Sequence, residues 1–135
     1  MQRDVRDWLA RLLVVRSSGF IEQATVIVCG EYVRANSGGP AGTFARSWLE
    51  RSANPSADGL QRLAGRFDTT WSNELRETLD SDDERLRREL DFLVDRRNKI
   101  AHGLNESVGV TKALALKEVA CDVSDWSIAR FNPDR

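Results

Sequence analysis

Apolar residues recur every three to four positions along most of this chain, a spacing typical of amphipathic helices. Strict alternation never runs beyond about four residues, so the pattern predicts an all-α fold. Residues 4–16 form the first predicted helix, and the Ser-Ser-Gly of 17–19 marks a kink or a restart. The following stretch, about 20–35, is apolar almost all round, which is typical of a central bundle helix.

Loop signals divide the middle of the chain. The Gly-rich stretch 36–42, which contains a proline, predicts one loop, and Asn-Pro-Ser at 54–56 predicts another. A short helix is expected over about 43–51, between the two loops, and one or two short helices within 57–80. A last helix is expected from about Thr111 to the Asn-Pro of 132–133.

The longest predicted helix begins with a capping box, in which Ser81 is the N-cap and Glu84 reaches back to it. It extends to His102, where Gly103 supplies a left-handed stop. Together these elements predict a compact bundle of about four to six helices.

Composition limits the class of protein. With 135 residues, the chain has the length of one compact domain, predicted over 1–135. Its hydrophobic fraction of 41% and charged fraction of 30% exclude a disordered chain and a membrane protein. No apolar run approaches ~18 residues and no secretory signal is recognisable, so a cytoplasmic protein with no membrane partner is expected. Cys29 and Cys121 lack metal-binding or disulfide spacing, which favours buried free thiols.

An arginine lies in the apolar stripe of the helix that begins at Ser81. At about 100° per residue, the apolar residues within about 60° of Arg97 are Leu86, Leu90, Leu93, Val94, Ile100, Ala101 and Leu104. A buried unpaired charge costs several kcal/mol, so Arg97 is expected to have a partner or to face a cavity. Glu22 and Glu31, on the apolar second stretch, are the candidate partners.

Polar side chains follow a neighbouring ridge of the same helix, namely Asp91, Asp95, Asn98 and His102. His102 is the only histidine in the chain. It lies about 140° from Arg97 around the helix, too far for one copy to bring both groups to one atom. A twofold dimer would place two copies of each in one cleft.

These residue types suit the cleavage of RNA, in which the 2′-hydroxyl attacks the neighbouring phosphate. The reaction needs a general base, a general acid and positive charge beside the phosphate oxygens. Histidine serves either proton transfer near neutral pH, and arginine supplies the charge. No metal or other cofactor is required, and none is expected.

Charge is distributed unevenly. The net charge of −1 excludes a surface that binds nucleic acid throughout. Residues 85–102 nevertheless carry six basic and three acidic side chains, a local net charge of +3. Such a patch attracts phosphate, and Arg88, Arg96 and Lys99 are its candidate RNA contacts. The four tryptophans follow apolar periodicities, so they are expected in the core or a dimer interface rather than as base-stacking platforms.

Spacing alone leaves an alternative open. In it, Arg97 pairs with a carboxylate of the bundle, and His102 is only a C-terminal helix residue favoured by the helix dipole.

Residues 93–103 (LVDRRNKIAHG) resemble the signature of HEPN domains, an arginine followed a few residues later by a histidine, with Asn98 at the polar position after the arginine. Residues 16–22 (RSSGFIE) resemble the RiboL-PSP branch of that superfamily. The resemblance covers most of the chain and implies a metal-independent endoribonuclease. It also implies a homodimer with the motif at its interface and a role in toxin–antitoxin or other defence systems.

Carried over by position, Arg97 and His102 would be catalytic and Asn98 supporting. Asp95, on the ridge of Asn98, is a further candidate supporting residue, as are Glu22 and Glu31. The branch that is paired with nucleotidyltransferase antitoxins carries a modified tyrosine where this chain has Leu104. That difference argues against neutralisation by this route, although an antitoxin or regulatory protein is a candidate partner. Other HEPN relatives are dimerisation or nucleotide-binding modules, and such a non-catalytic module is the alternative function.

Overall fold

The computed structural model describes residues 2–52, 54–103 and 108–132, which contain five helices and no strand. The predicted all-α bundle is therefore confirmed. The helices are α1 (Gln2–Asn36), α2 (Gly39–Ser52), α3 (Ala57–Phe67), α4 (Thr69–Ala101) and α5 (Val110–Phe131).

α1 is one helix of 35 residues, so the predicted restart at 17–19 is wrong. Ser17 and Ser18 are buried rather than exposed in a turn. Ser17 lines the groove between α1 and α5. A small side chain at this position lets the two helices approach closely, which is why the serine does not end the helix.

The predicted loop over 36–42 is reduced to residues 37–38, because α2 begins at Gly39. Pro40 lies in the first turn of α2, where a helix does not need its missing N–H. A Cβ at Gly42 would collide with the carbonyl oxygen of Ser37. Glycine and proline here make a tight connection between two helices rather than a long loop.

α4 is interrupted at 81–84, close to its predicted start. Ser81 is extended, and Asp82, Asp83 and Glu84 have left-handed backbone angles, with φ of 54°, 58° and 60°. The predicted capping box is wrong, because Glu84 lies before the second half of the helix instead of in its first turn. The Ser81 hydroxyl donates to the carbonyl oxygen of Thr78 at 3.0 Å. The short helices expected within 57–80 are α3 and the first half of α4.

α1 and α5 run parallel. Ser17 and Ala120 line one cavity between them, while Cys29 and Phe131, further along each helix, line another.

α4 runs antiparallel to α5. The Lys112 ammonium pairs with Glu89 at 2.6 Å, and Arg130 pairs with Glu74. The C-terminal end of α4 therefore lies at the same end of the bundle as the N-terminal ends of α1 and α5. We call it the motif end, because residues 97–102 lie there.

An aromatic cluster fills the opposite end, which we call the aromatic end. Its members are Tyr32, Phe67, Trp71, Trp126 and Phe131. Cys29 is buried beside it, and burial raises the pKa of its thiol to about 12. Cys121 is only half-buried, so the prediction of buried thiols holds for one cysteine of the two.

Candidate functional site

The second half of α4 places the motif at the edge of the core. Leu86, Leu90 and Leu93 are buried and set the rotation of the helix. Arg97 continues the same line by one turn and is half-buried, while Asn98 is exposed. Ile100 still packs against the core beyond it, so the Arg97 guanidinium lies at the border between the core and solvent.

Arg97 is held by its neighbour rather than by a distant carboxylate. Its Nη1 donates to Oδ1 of Asn98 at 3.3 Å. Glu31 instead pairs with Arg34 at 2.5 Å, and this hydrogen bond lowers the pKa of Glu31. Within the described part of the chain, Glu22 is not paired with Arg97 either. The expected pairing of Arg97 with Glu22 or Glu31 is wrong, because a half-exposed guanidinium is solvated and needs no buried carboxylate.

His102 follows the last residue of α4 and is exposed. Its backbone N–H donates to the carbonyl of Asn98 at 3.0 Å, and the N–H of Gly103 donates to the carbonyl of Ile100 at 3.1 Å. Gly103 has φ of 74°, which confirms the predicted left-handed stop. Leu104 lies outside the described residues.

The carboxylates of the polar ridge have structural partners. Asp95 pairs with Lys99 at 3.3 Å, one turn along the helix. Asp91 accepts a hydrogen bond from the backbone N–H of Ala57 at 3.1 Å and so anchors the start of α3. Asn98 and His102 are therefore the two residues of this ridge that stay candidates for a functional role.

The basic patch is weaker than the sequence count indicates. Arg87 is 19% exposed and pairs with Asp80 at 2.6 Å and Asp58 at 2.9 Å. The hydrogen bond to Asp80 raises the pKa of Arg87. These acids lie outside 85–102, so a local count of charges misses them. Arg88 is exposed.

A cluster of cations surrounds Phe92, one turn before Arg96. The guanidinium of Arg96 lies 4.8 Å from the ring centroid, and the ammonium of Lys112 lies 4.9 Å from it. Sequence analysis missed Lys112, because it belongs to α5 and only the antiparallel packing brings it to α4. No local signal marks it.

Over the described residues, no group of three or more His, Cys, Asp and Glu side chains is placed to hold a metal ion. Arg97, Asn98 and His102, with the nearby cations, are the candidate functional groups at the motif end.

Comparison with known proteins identifies one relationship. The family model described as RiboL-PSP-HEPN matches residues 2–125, a span that includes both 16–22 and the motif. No curated protein and no solved structure gives a significant match.

Proposed function

Because the chain belongs to the RiboL-PSP-HEPN family, we propose that it is a metal-independent endoribonuclease that acts as a twofold dimer. The observation that carries the proposal is the accessibility of the motif. His102 is exposed and Arg97 half-exposed at one end of the bundle, with Asn98 bonded to the arginine. Family membership by itself supports the coarser class of ribonuclease or nucleotide-binding module.

In the proposed reaction, the 2′-oxygen forms a bond to the adjacent phosphorus, and the bond from phosphorus to the 5′-oxygen breaks. His102 takes the 2′ proton, and the partner's His102 gives a proton to the departing 5′-oxygen. The products are a 2′,3′-cyclic phosphate and a 5′-hydroxyl. Arg97 stabilises the charge on the phosphorane oxygens, and Asn98 positions its guanidinium.

The RNA backbone would lie along the cations of α4 and α5. Arg88 and Arg96 offer charge beside the motif helix. Lys99 and Lys112 contribute less, because Asp95 neutralises the first and Glu89 the second. We further propose a cytoplasmic toxin or defence role, in which an antitoxin or regulatory protein restrains the enzyme.

The second candidate function is a non-catalytic RNA- or nucleotide-binding module. The observation that favours it is the position of His102, whose side chain has no hydrogen-bond partner within 2–52, 54–103 and 108–132. A catalytic histidine is commonly oriented by another group, and in a dimer a second copy can supply one.

Cleavage of total RNA and bulk tRNA in excess EDTA separates the two functions. We expect the wild type to leave 2′,3′-cyclic phosphate ends, and His102→Ala and Arg97→Ala each to lose about a hundredfold or more in rate. The matched control is Arg76→Ala, an exposed arginine on the first half of α4, which should cut at the wild-type rate. Equal cleavage by all variants, or none by the wild type, would reject the enzyme.

A further inference from the structure

One face of the bundle is apolar and uncovered. Of the large hydrophobic side chains that are exposed in the described part of the chain, all but Phe44 belong to α1 and α5. Trp8 is 70% exposed and Ile27 is 59% exposed. An apolar face of this length is unusual for a protein that works as a monomer.

The uncovered face runs along α1. At about 100° per residue, Trp8, Leu12, Gly19 and Gly30 fall within about 40° of one another, opposite the buried Ile21. The same side also carries the exposed Arg16 and Gln23, so α1 has apolar residues on both sides without being apolar all round. By length and composition alone, Val5–Asn36 would be able to cross a membrane, as would the core helix of many globular proteins.

Two glycines on this face are not required by packing within one chain. A Cβ on Gly19 or Gly30 would meet nothing within 4 Å. Glycine inside a helix is less stable than alanine, so its presence needs a reason. Close approach of another helix supplies one.

The face continues onto α5. Leu114, Cys121 and Ile128 are spaced by seven residues and share one side of that helix. Cys121 and Phe20 line a groove of about 200 Å³ between the two helices. A strip about 39 Å long, over residues 5–30, and about 20 Å wide covers on the order of 800 Å², which is one partner's share of a standard interface.

We propose that this face is a homodimer seam, in which α1 packs antiparallel against α1 of a second copy about a twofold axis at Gly19. Residues at equal distances from Gly19 then face each other. Trp8 lies opposite the partner's Gly30, and Leu12 lies opposite the partner's Val26. Each large side chain meets a smaller one, and symmetry repeats the fit at the other end, as an isologous interface requires. This self-complementarity favours a second copy over an unrelated partner.

The seam is distinct from the motif interface of the proposed ribonuclease. Antiparallel pairing about Gly19 leaves the two motif ends about 50 Å apart. The seam therefore does not depend on RNA cleavage, and the two interfaces close into a tetramer when their twofold axes cross at right angles.

Molar mass in solution, measured by light scattering without RNA, tests the seam. Trp8→Glu should halve the mass of the wild-type particle while leaving the helical circular dichroism unchanged, because Trp8 is exposed in the single chain. The matched control is Phe44→Glu, since Phe44 is an aromatic residue on α2 that is 74% exposed, and this variant should keep the wild-type mass. A monomeric wild type, or a mass that Trp8→Glu does not change, overturns the proposal. If Trp8→Glu leaves the mass unchanged and the wild type binds phosphatidylcholine–phosphatidylglycerol vesicles, a membrane covers this face instead of a second copy.

Disulfide trapping tests the register. In a Cys121→Ser background, Gly19→Cys should form a cross-linked dimer on mild oxidation, because the axis places residue 19 opposite its own copy. The control is Arg34→Cys, exposed on the same helix, which should stay uncrosslinked because it lies about 45 Å from its own copy. Equal cross-linking of both, or of neither, rejects the register. Neither test measures RNA cleavage. Failure of the seam proposal is therefore distinguishable from failure of the proposed ribonuclease activity.

Discussion

The motif end and the aromatic end of the bundle are held together in different ways. At the aromatic end, Phe131 is 2% exposed and lies 4.9 Å from Phe67 and 5.1 Å from Trp71, between ring centroids. At the motif end, Arg97 and His102 are accessible, and their hydrogen bonds stay within α4.

The difference shows where the stability of the bundle is concentrated. Edge-to-face aromatic pairs contribute about 0.5–1.5 kcal/mol each beyond the burial of their area. The hydrogen bonds of the motif end connect residues that are already neighbours in one helix, so they add little to the tertiary fold. Residues of the motif end can therefore be chosen for reactivity at small cost in folding free energy.

The largest expected effect comes from the aromatic end. Phe131→Ala should lower the free energy of unfolding by about 3–5 kcal/mol, because it leaves a cavity among four aromatic rings. His102→Ala, at the exposed end, should change it by less than about 0.5 kcal/mol. Urea unfolding measures the free energy of unfolding of both variants. Comparable destabilisation of the histidine variant would contradict the expected difference between the two ends.

A smaller effect is expected between the two ends, where Arg87 joins both halves of α4 to α3. Arg87→Ala should cost about 1–3 kcal/mol, because Asp80 would lose its partner in a half-buried network with Gln61. Arg88→Ala, the exposed neighbour, is the control and should be near neutral. Thermal unfolding monitored by circular dichroism distinguishes the two variants, and equal melting temperatures would contradict the network.

Next in size is the stop residue of the motif end. Gly103→Ala should cost about 1 kcal/mol, since its φ of 74° disfavours a Cβ while the space around it is open. Gly103→Asn should cost less, because asparagine tolerates this conformation. Hydrogen exchange of the last turn of α4 reports the change locally, and an unaltered rate in both variants would show that the stop is not needed.

The smallest effect concerns Glu31, whose pKa Arg34 lowers through a side-chain hydrogen bond. Because the folded pKa is depressed, the pair stabilises the protein above the ordinary carboxyl pKa and stops doing so as the pH falls through the lowered value. A carboxyl NMR titration should show this low midpoint, and Arg34→Gln should raise it. Arg97→Gln should leave the pKa of Glu31 unchanged. A shift in that variant would show that Arg97 is a partner of Glu31.

Local patterns in the sequence determined the helical class, the approximate positions of α2, α3 and α5, and the motif at a glycine stop. Helical periodicity, turn residues and the left-handed preference of Gly103 act over a few neighbouring residues. These signals can therefore be recognised from the sequence alone. The same holds for residues 93–103, whose resemblance led to the family that the comparison then matched.

Tertiary structure alone decided the partners of charged groups and the exposure of apolar ones. Arg87 pairs with Asp58, Lys112 reaches Phe92 from α5, and Arg97 takes neither of the glutamates expected for it. α1 carries apolar residues on its exposed side as well as on its buried side, and within one chain the exposed ones remain uncovered. Which groups meet depends on how helices distant in sequence pack together, and the spacing along any single helix contains no information about that.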